Sequence, residues 1–225
     1  MRARAPVTRA ILAVIAVVFL AEFFAPEAML ENGGIVPGML ARHEYWRLIT
    51  SMFLHAPPVT WAQAPPLPWH HRPPFDWLGW GHWLANSWAL FQLGTLYEIL
   101  FGSKRFAFVY FATGICAGIA SSFHIESVGV GASGAIFGLL GAFVFSIWRS
   151  PRYRHEPWTR GLLKQIIFWT VVNLYIGFQF PFIDNVAHIG GLVTGLLLGL
   201  IPHRLPPPPP GSSVIDVQPY EEGGP

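Results

Sequence analysis

The chain has 225 residues, of which 52% are hydrophobic and only 12% charged, about half the charged share of a soluble domain. A mean hydropathy of +0.43 excludes a disordered chain and leaves more apolar surface than a water-soluble globule of this length encloses. The net charge of +2 gives no nucleic-acid footprint, and the single cysteine, Cys116, excludes an internal disulfide framework and any Cys-based zinc or iron–sulfur site.

A bilayer core needs roughly 20 mostly apolar residues per helix, and six such segments follow in chain order. After residues 1–7, the first runs over about Thr8–Pro26, with Glu22 near its end. Arg2, Arg4 and Arg9 ahead of an apolar run resemble a signal peptide, but Glu22, Phe23 and Phe24 are poor neighbours for a cleavage site, so we read an uncleaved span. Residues 27–81 form a long loop with seven prolines between Pro57 and Pro74. The second span is about His82–Phe101, the third Lys104–Phe123, the fourth Ala132–Trp148, the fifth Gly161–Phe178 and the sixth Asn185–Ile201. These runs are continuous rather than alternating, so the chain reads as an all-α polytopic membrane protein and not a β-barrel. Residues 203–225, with Pro206–Pro210 followed by Gly, Ser and Glu, read as a flexible tail.

Eleven of the fourteen Lys and Arg residues fall in the N-terminus, the loops after the second and fourth spans, and the tail; the other three, Arg42, Arg47 and Arg72, lie in the first loop. The positive-inside rule then places both termini in the cytoplasm. The second, fourth and sixth spans all start at the outer surface.

Polar side chains within a span are costly and are functional candidates by default. Three groups stand out: Ser133 in Gly131-Ala132-Ser133-Gly134, His188 in Asp184-Asn185-Val186-Ala187-His188-Ile189-Gly190-Gly191, and His82 with Asn86, one turn apart on one helix face. Each sits within about four residues of the outer start of its span, hence roughly 6 Å or less along the axis, so the three share a depth. Glycines at four-residue spacing, Gly191, Gly195 and Gly199 in the sixth span and Gly134 and Gly138 in the fourth, allow close helix approach. The chemistry that suits such a set is acyl transfer. A serine hydroxyl needs a base within hydrogen-bond reach, which His188 supplies to Ser133. An oxyanion needs donors, available from Asn86, His82 and the Ser133 backbone N–H. No carboxylate is placed as a clear third member, since Asp184 reads as loop.

These residues resemble the rhomboid family of intramembrane serine proteases. The match runs through Glu44-Tyr45-Trp46-Arg47, His82-xxx-Asn86, Gly131 to Gly138 and Ala187 to Gly191, across about residues 8–202. The resemblance implies a six-helix core with Ser133 as nucleophile, His188 as general base, and His82 and Asn86 at the oxyanion hole. It implies that Trp46 and Arg47 shape the first loop, that Phe137 packs on the catalytic histidine, and that Glu98 is structural. Gly131, Gly134 and Gly191 support the site by letting backbones approach. The departure is Ala56–Trp80, about 25 residues inserted between His55 and the His82 motif. His55, His70 and His71 have no metal-ligand spacing. The expected partners are transmembrane protein substrates and the lipid bilayer, with no cofactor, metal or nucleic acid, in a bacterial cytoplasmic membrane. A catalytically dead relative that only binds membrane clients would usually lack the serine or the histidine, and both are kept here. A transporter would show broken spans or mid-membrane charge pairs. A zinc protease would need His-Glu-x-x-His, which is absent, and Asp76, Asp184 and Asp216 lie outside the spans, which leaves no two-aspartate pair. The fifth span, with Phe168, Trp169 and Phe178, is the candidate lateral gate.

Overall fold

Pro6 opens α1 (Pro6–Glu22). Proline lacks the N–H that a first turn leaves unpaired anyway, and its φ is already helical. The same device opens α2 (Pro26–Gly33) inside the first loop, where the short α3 (Arg47–Thr50) also forms. Next, α4 (Trp77–Ala89) passes through one wide π turn (Leu90–Gly94) into α5 (Thr95–Phe101), making one continuous helical segment. Gly102, with φ +82°, breaks the chain before α6 (Ser103–Ser122). The remaining helices are α7 (Ser133–Arg149), α8 (Pro157–Gln179) and α9 (Asn185–Leu198). The computed structural model describes residues 5–57, 77–125, 128–151, 153–180 and 183–203, and among these the only strand-like pairing is Ile35 with Gly129.

The six expected apolar segments correspond to α1, the α4–α5 segment, α6, α7, α8 and α9, with shifted ends. The second begins at Trp77 rather than His82, because the uncharged Trp77-Leu78-Gly79-Trp80 stretch continues the helix. The sixth ends at Leu198 rather than Ile201, as Pro202 approaches. The rest of the insertion, residues 58–76 with His70 and His71, lies outside the described residues, as do residues 1–4 and the tail from 204. Both α6 and α8, of 20 and 23 residues, are long and apolar enough to cross a membrane; α7 and α9 are apolar but shorter. Large apolar side chains face outward: Val14, Val17 and Leu20 on α1, Phe168, Trp169 and Phe178 on α8, Val193 and Leu197 on α9. A surface of that kind suits lipid tails rather than water.

The core lies between α1, the α4–α5 segment, α6 and α7, and includes Ile11, Ile15, Leu90, Tyr97, Phe106, Tyr110, Leu139 and Phe143. Two buried glutamates tie α1 into it at opposite ends. Glu98 accepts from the Val7 and Thr8 N–H groups (3.0 and 2.8 Å), the Thr8 hydroxyl (2.7 Å) and the Ser103 hydroxyl (2.6 Å). It therefore pairs the unsatisfied donors of the α1 N-terminus with a negative charge. Glu22 accepts from the His55 and Ala56 N–H groups, each at 3.1 Å, and anchors the end of the first loop. Within that loop, buried Arg47 bonds Glu44 at 2.5 Å and the Glu31 and Gly34 carbonyls at 2.5 and 2.9 Å, closing the C-terminal end of α2. Trp46 is largely exposed and donates from Nε1 to the Asn32 carbonyl at 3.0 Å.

Removing the Glu98 carboxylate orphans several donors at once. We expect Glu98→Ala to lower stability by about 2–4 kcal/mol, read as a drop in the thermal midpoint of the purified protein in detergent; an unchanged midpoint would contradict the capping role.

Candidate active site

The geometry begins at Gly131, whose φ of +121° is a conformation that side-chain-bearing residues rarely adopt. Its N–H donates to the Ser51 carbonyl at 2.9 Å, and a Cβ added there would lie 2.7 Å from His82 Nε2. Glycine is thus needed both for the turn and for the closeness of the His82 ring. Two residues later α7 starts at Ser133, so the Ser133 N–H has no partner within its own helix.

The first turns of α7 and α9 sit against each other with almost no side chain between them. A Cβ on Gly191 would overlap the Gly134 carbonyl oxygen, and one on Gly195 would overlap that of Gly138. Such contact is possible only where both partners are small. It brings His188, on the first turn of α9, over Ser133: Nε2 lies 2.9 Å from Ser133 Oγ. His188 is buried and Ser133 half-buried. The Phe137 ring stacks on the imidazole, centroids 4.3 Å apart and planes 8° from parallel. Having no hydroxyl, Phe137 restrains the ring by stacking alone.

Because the helix begins at Trp77, His82 and Asn86 lie five and nine residues past its start, deeper along the segment than the expected start at His82 placed them, and both side chains approach Gly131. The His82 Nδ1 faces the His55 carbonyl at 3.2 Å, and the Asn86 amide donates to the His82 carbonyl at 3.0 Å. An amide nitrogen carries two hydrogens, so Asn86 keeps one for another acceptor. A neutral His82 that donates from Nδ1 leaves Nε2 as an acceptor, so His82 can donate toward Ser133 only when protonated.

Ser133, His188, Gly131, Gly134, Gly191 and Phe137 therefore meet at one point, with His82 and Asn86 beside it. Trp46 and Arg47 do not join them: the bonds they make lie within the first loop and α2. His55 is fully buried, its ring 5.2 Å from that of His82. Burial, and secondarily His82, push the His55 imidazole down to about 3, so it stays neutral. Among the described residues no three His, Cys, Asp or Glu side chains group as metal ligands.

Two further polar residues shape the His188 helix. Asp184 is its N-cap, accepting from the Ala187 N–H at 2.8 Å, and it also takes the Ser121 hydroxyl of α6. Its carboxylate serves as a helix cap and a tie to α6. Asn185 is the residue that sequence reasoning missed: its Oδ1 lies 3.3 Å from His188 Nδ1. The signal was available, because residues three apart share a helix face.

A family profile described as the Rhomboid domain matches residues 72–205. Rhomboid protease GluP of Bacillus subtilis is 33% identical over 169 residues, covering 75% of this chain and 28% of that protein. RHOMBOID-like protein 1 of Arabidopsis thaliana is 34% identical over 161 residues, covering 71% of this chain and 35% of that one. The Putative rhomboid protease YdcA of Bacillus subtilis is 32% identical over 164 residues, covering 72% of this chain and 69% of its own length. The chain thus spans only about a third of the first two relatives.

Proposed function

The chain belongs to the rhomboid family, and we propose that it is an intramembrane serine endopeptidase working through a Ser133–His188 dyad. Membership makes it an integral, multi-pass membrane protein. The observation that carries the proposal is the 2.9 Å contact between Ser133 Oγ and His188 Nε2 inside a largely apolar bundle. Polar groups at that depth are expensive to keep without a task.

In the proposed mechanism His188 Nε2 takes the hydroxyl proton as Ser133 Oγ attacks the scissile carbonyl carbon. The tetrahedral oxyanion is received by the Ser133 N–H and by the second N–H of Asn86. His82 adds a donor only in its protonated form. His188 then returns the proton to the departing amine, leaving an acyl-enzyme that water hydrolyses with His188 again as base. No metal, cofactor or third acid is invoked.

The substrate we propose is a transmembrane segment of another protein, cut near the outer membrane face. Peptide bonds in a membrane helix are shielded by their own hydrogen bonds, so segments loosened by Gly, Pro or small residues should be preferred. Six spans, α1, the α4–α5 segment and α6 to α9, with both termini cytoplasmic in a bacterial inner membrane, complete the proposal; the distribution of Lys and Arg supports the orientation. Helix α8 is the candidate gate, since its only buried residues are Thr159, Thr170 and Gly177.

The test is cleavage of a single-span substrate in proteoliposomes, with the cut site mapped by mass spectrometry. Wild type should cut near the outer end of the span, and Ser133→Ala should not cut. Equal cleavage by folded Ser133→Ala, or a cut at the inner end, would overturn the reading.

A further inference from the structure

Asn185 bridges two helices. Its Nδ2 donates to the Leu174 carbonyl of α8 at 2.9 Å, while its Oδ1 faces His188 Nδ1 at 3.3 Å. The side chain is buried in a crevice that Gly177 of α8 leaves open, since a Cβ on Gly177 would overlap the Asn185 amide. These contacts fix the amide orientation. A carbonyl can only accept, so the nitrogen must point to Leu174 and the oxygen to His188. The oxygen in turn can only accept, so His188 must carry its proton on Nδ1. The lone pair is then on Nε2, toward the Ser133 hydroxyl, which is the tautomer a general base requires.

We infer that Asn185 is a positioning residue that holds His188 in its Nδ1–H tautomer and ties that tautomer to the seating of α8. The inference rests on the dyad reading above and goes beyond it by assigning the group that orients the base. It also gives α8 a role other than lining a lateral opening. When Leu174 is in place the amide is locked; if α8 swings away, Asn185 loses its anchor and the imidazole loses its orientation. Being neutral, Asn185 orients the imidazolium without adding a full countercharge, so its loss should cost less than that of an aspartate in a triad.

The test uses the full chain in proteoliposomes, with wild type, Asn185→Ala, Asn185→Leu and Asn185→Asp, each checked for an intact thermal transition. Alanine removes both contacts. Leucine removes both but keeps the volume, which separates positioning from packing. Aspartate keeps an acceptor for His188 Nδ1 and loses only the donor to Leu174. Alanine and leucine should both lower kcat roughly 10- to 100-fold with KM nearly unchanged. Aspartate, which keeps the acceptor for His188 but loses the anchor to Leu174, should fall between wild type and alanine. Fluorophosphonate reaction rates at Ser133, which need no peptide substrate, should fall in parallel. Wild-type kcat and labelling in folded leucine and alanine variants would overturn the inference. So would an aspartate variant as slow as alanine, or a loss confined to KM. Failure of the dyad reading looks different: wild type itself would not label at Ser133, or Ser133→Ala would still cleave.

Discussion

His188→Ala should lower kcat for peptide cleavage by about 10³-fold or more while leaving the helical fold in place. The large effect follows from geometry. With Nε2 2.9 Å from Ser133 Oγ, this imidazole is the group placed to take the hydroxyl proton. Asp184, the nearest carboxylate in sequence, is engaged with the Ala187 N–H and the Ser121 hydroxyl and cannot substitute. The effect on stability should be modest. Alanine leaves a void beneath Phe137, but it also removes a polar ring from apolar surroundings, and these changes oppose each other. Steady-state kinetics beside a thermal melt will separate the two. A variant that keeps wild-type kcat would remove His188 from the mechanism.

Gly191→Val should cost stability at least on the scale of Glu98→Ala. Added carbons at 191 overlap the Gly134 carbonyl, which is helix backbone and cannot rotate aside. Relief requires α7 and α9 to part, and their contact continues one turn deeper where Gly195 meets Gly138. Overpacking of a well-packed core commonly costs about 1–3 kcal/mol, and backbone against backbone belongs at or above the upper end. Separation of the helices also pulls Ser133 from His188, so activity should disappear even in the fraction that stays folded. The check is a thermal melt together with Ser133 labelling. Near-normal stability would show that this interface is looser than described.

Much of this was legible in the sequence. The six apolar segments were found because uncharged runs of helical length are a strong signal. Ser133 and His188 pair in the sequence because each sits in the opening turn of an apolar helix with glycines recurring every fourth residue beside it. What stayed hidden depends on backbone groups, which carry no side-chain identity. Glu22 reads only as a charge near the end of its span and Glu98 as structural by resemblance, with no partners legible for either, yet each serves backbone N–H donors from a distant part of the chain. Arg47 stands out in the sequence, but two of its partners are carbonyls at the C-terminal end of α2, Glu31 and Gly34, where the sequence reads as plain loop. The π turn at Leu90–Gly94 has no compositional mark and lies where this helix meets α1 and α7. Asn185 carries no charge and so does not read as a triad member from the sequence. Its role depends on Leu174 and Gly177, on a helix that reads only as apolar.

The most direct test of the central claim is reaction of the folded protein with a fluorophosphonate, followed by peptide mapping. A single adduct on Ser133 in wild type, absent from Ser133→Ala and much slower to form in His188→Ala, is the predicted result. An adduct on another residue, or equal labelling rates in wild type and His188→Ala, would contradict a serine activated by this histidine.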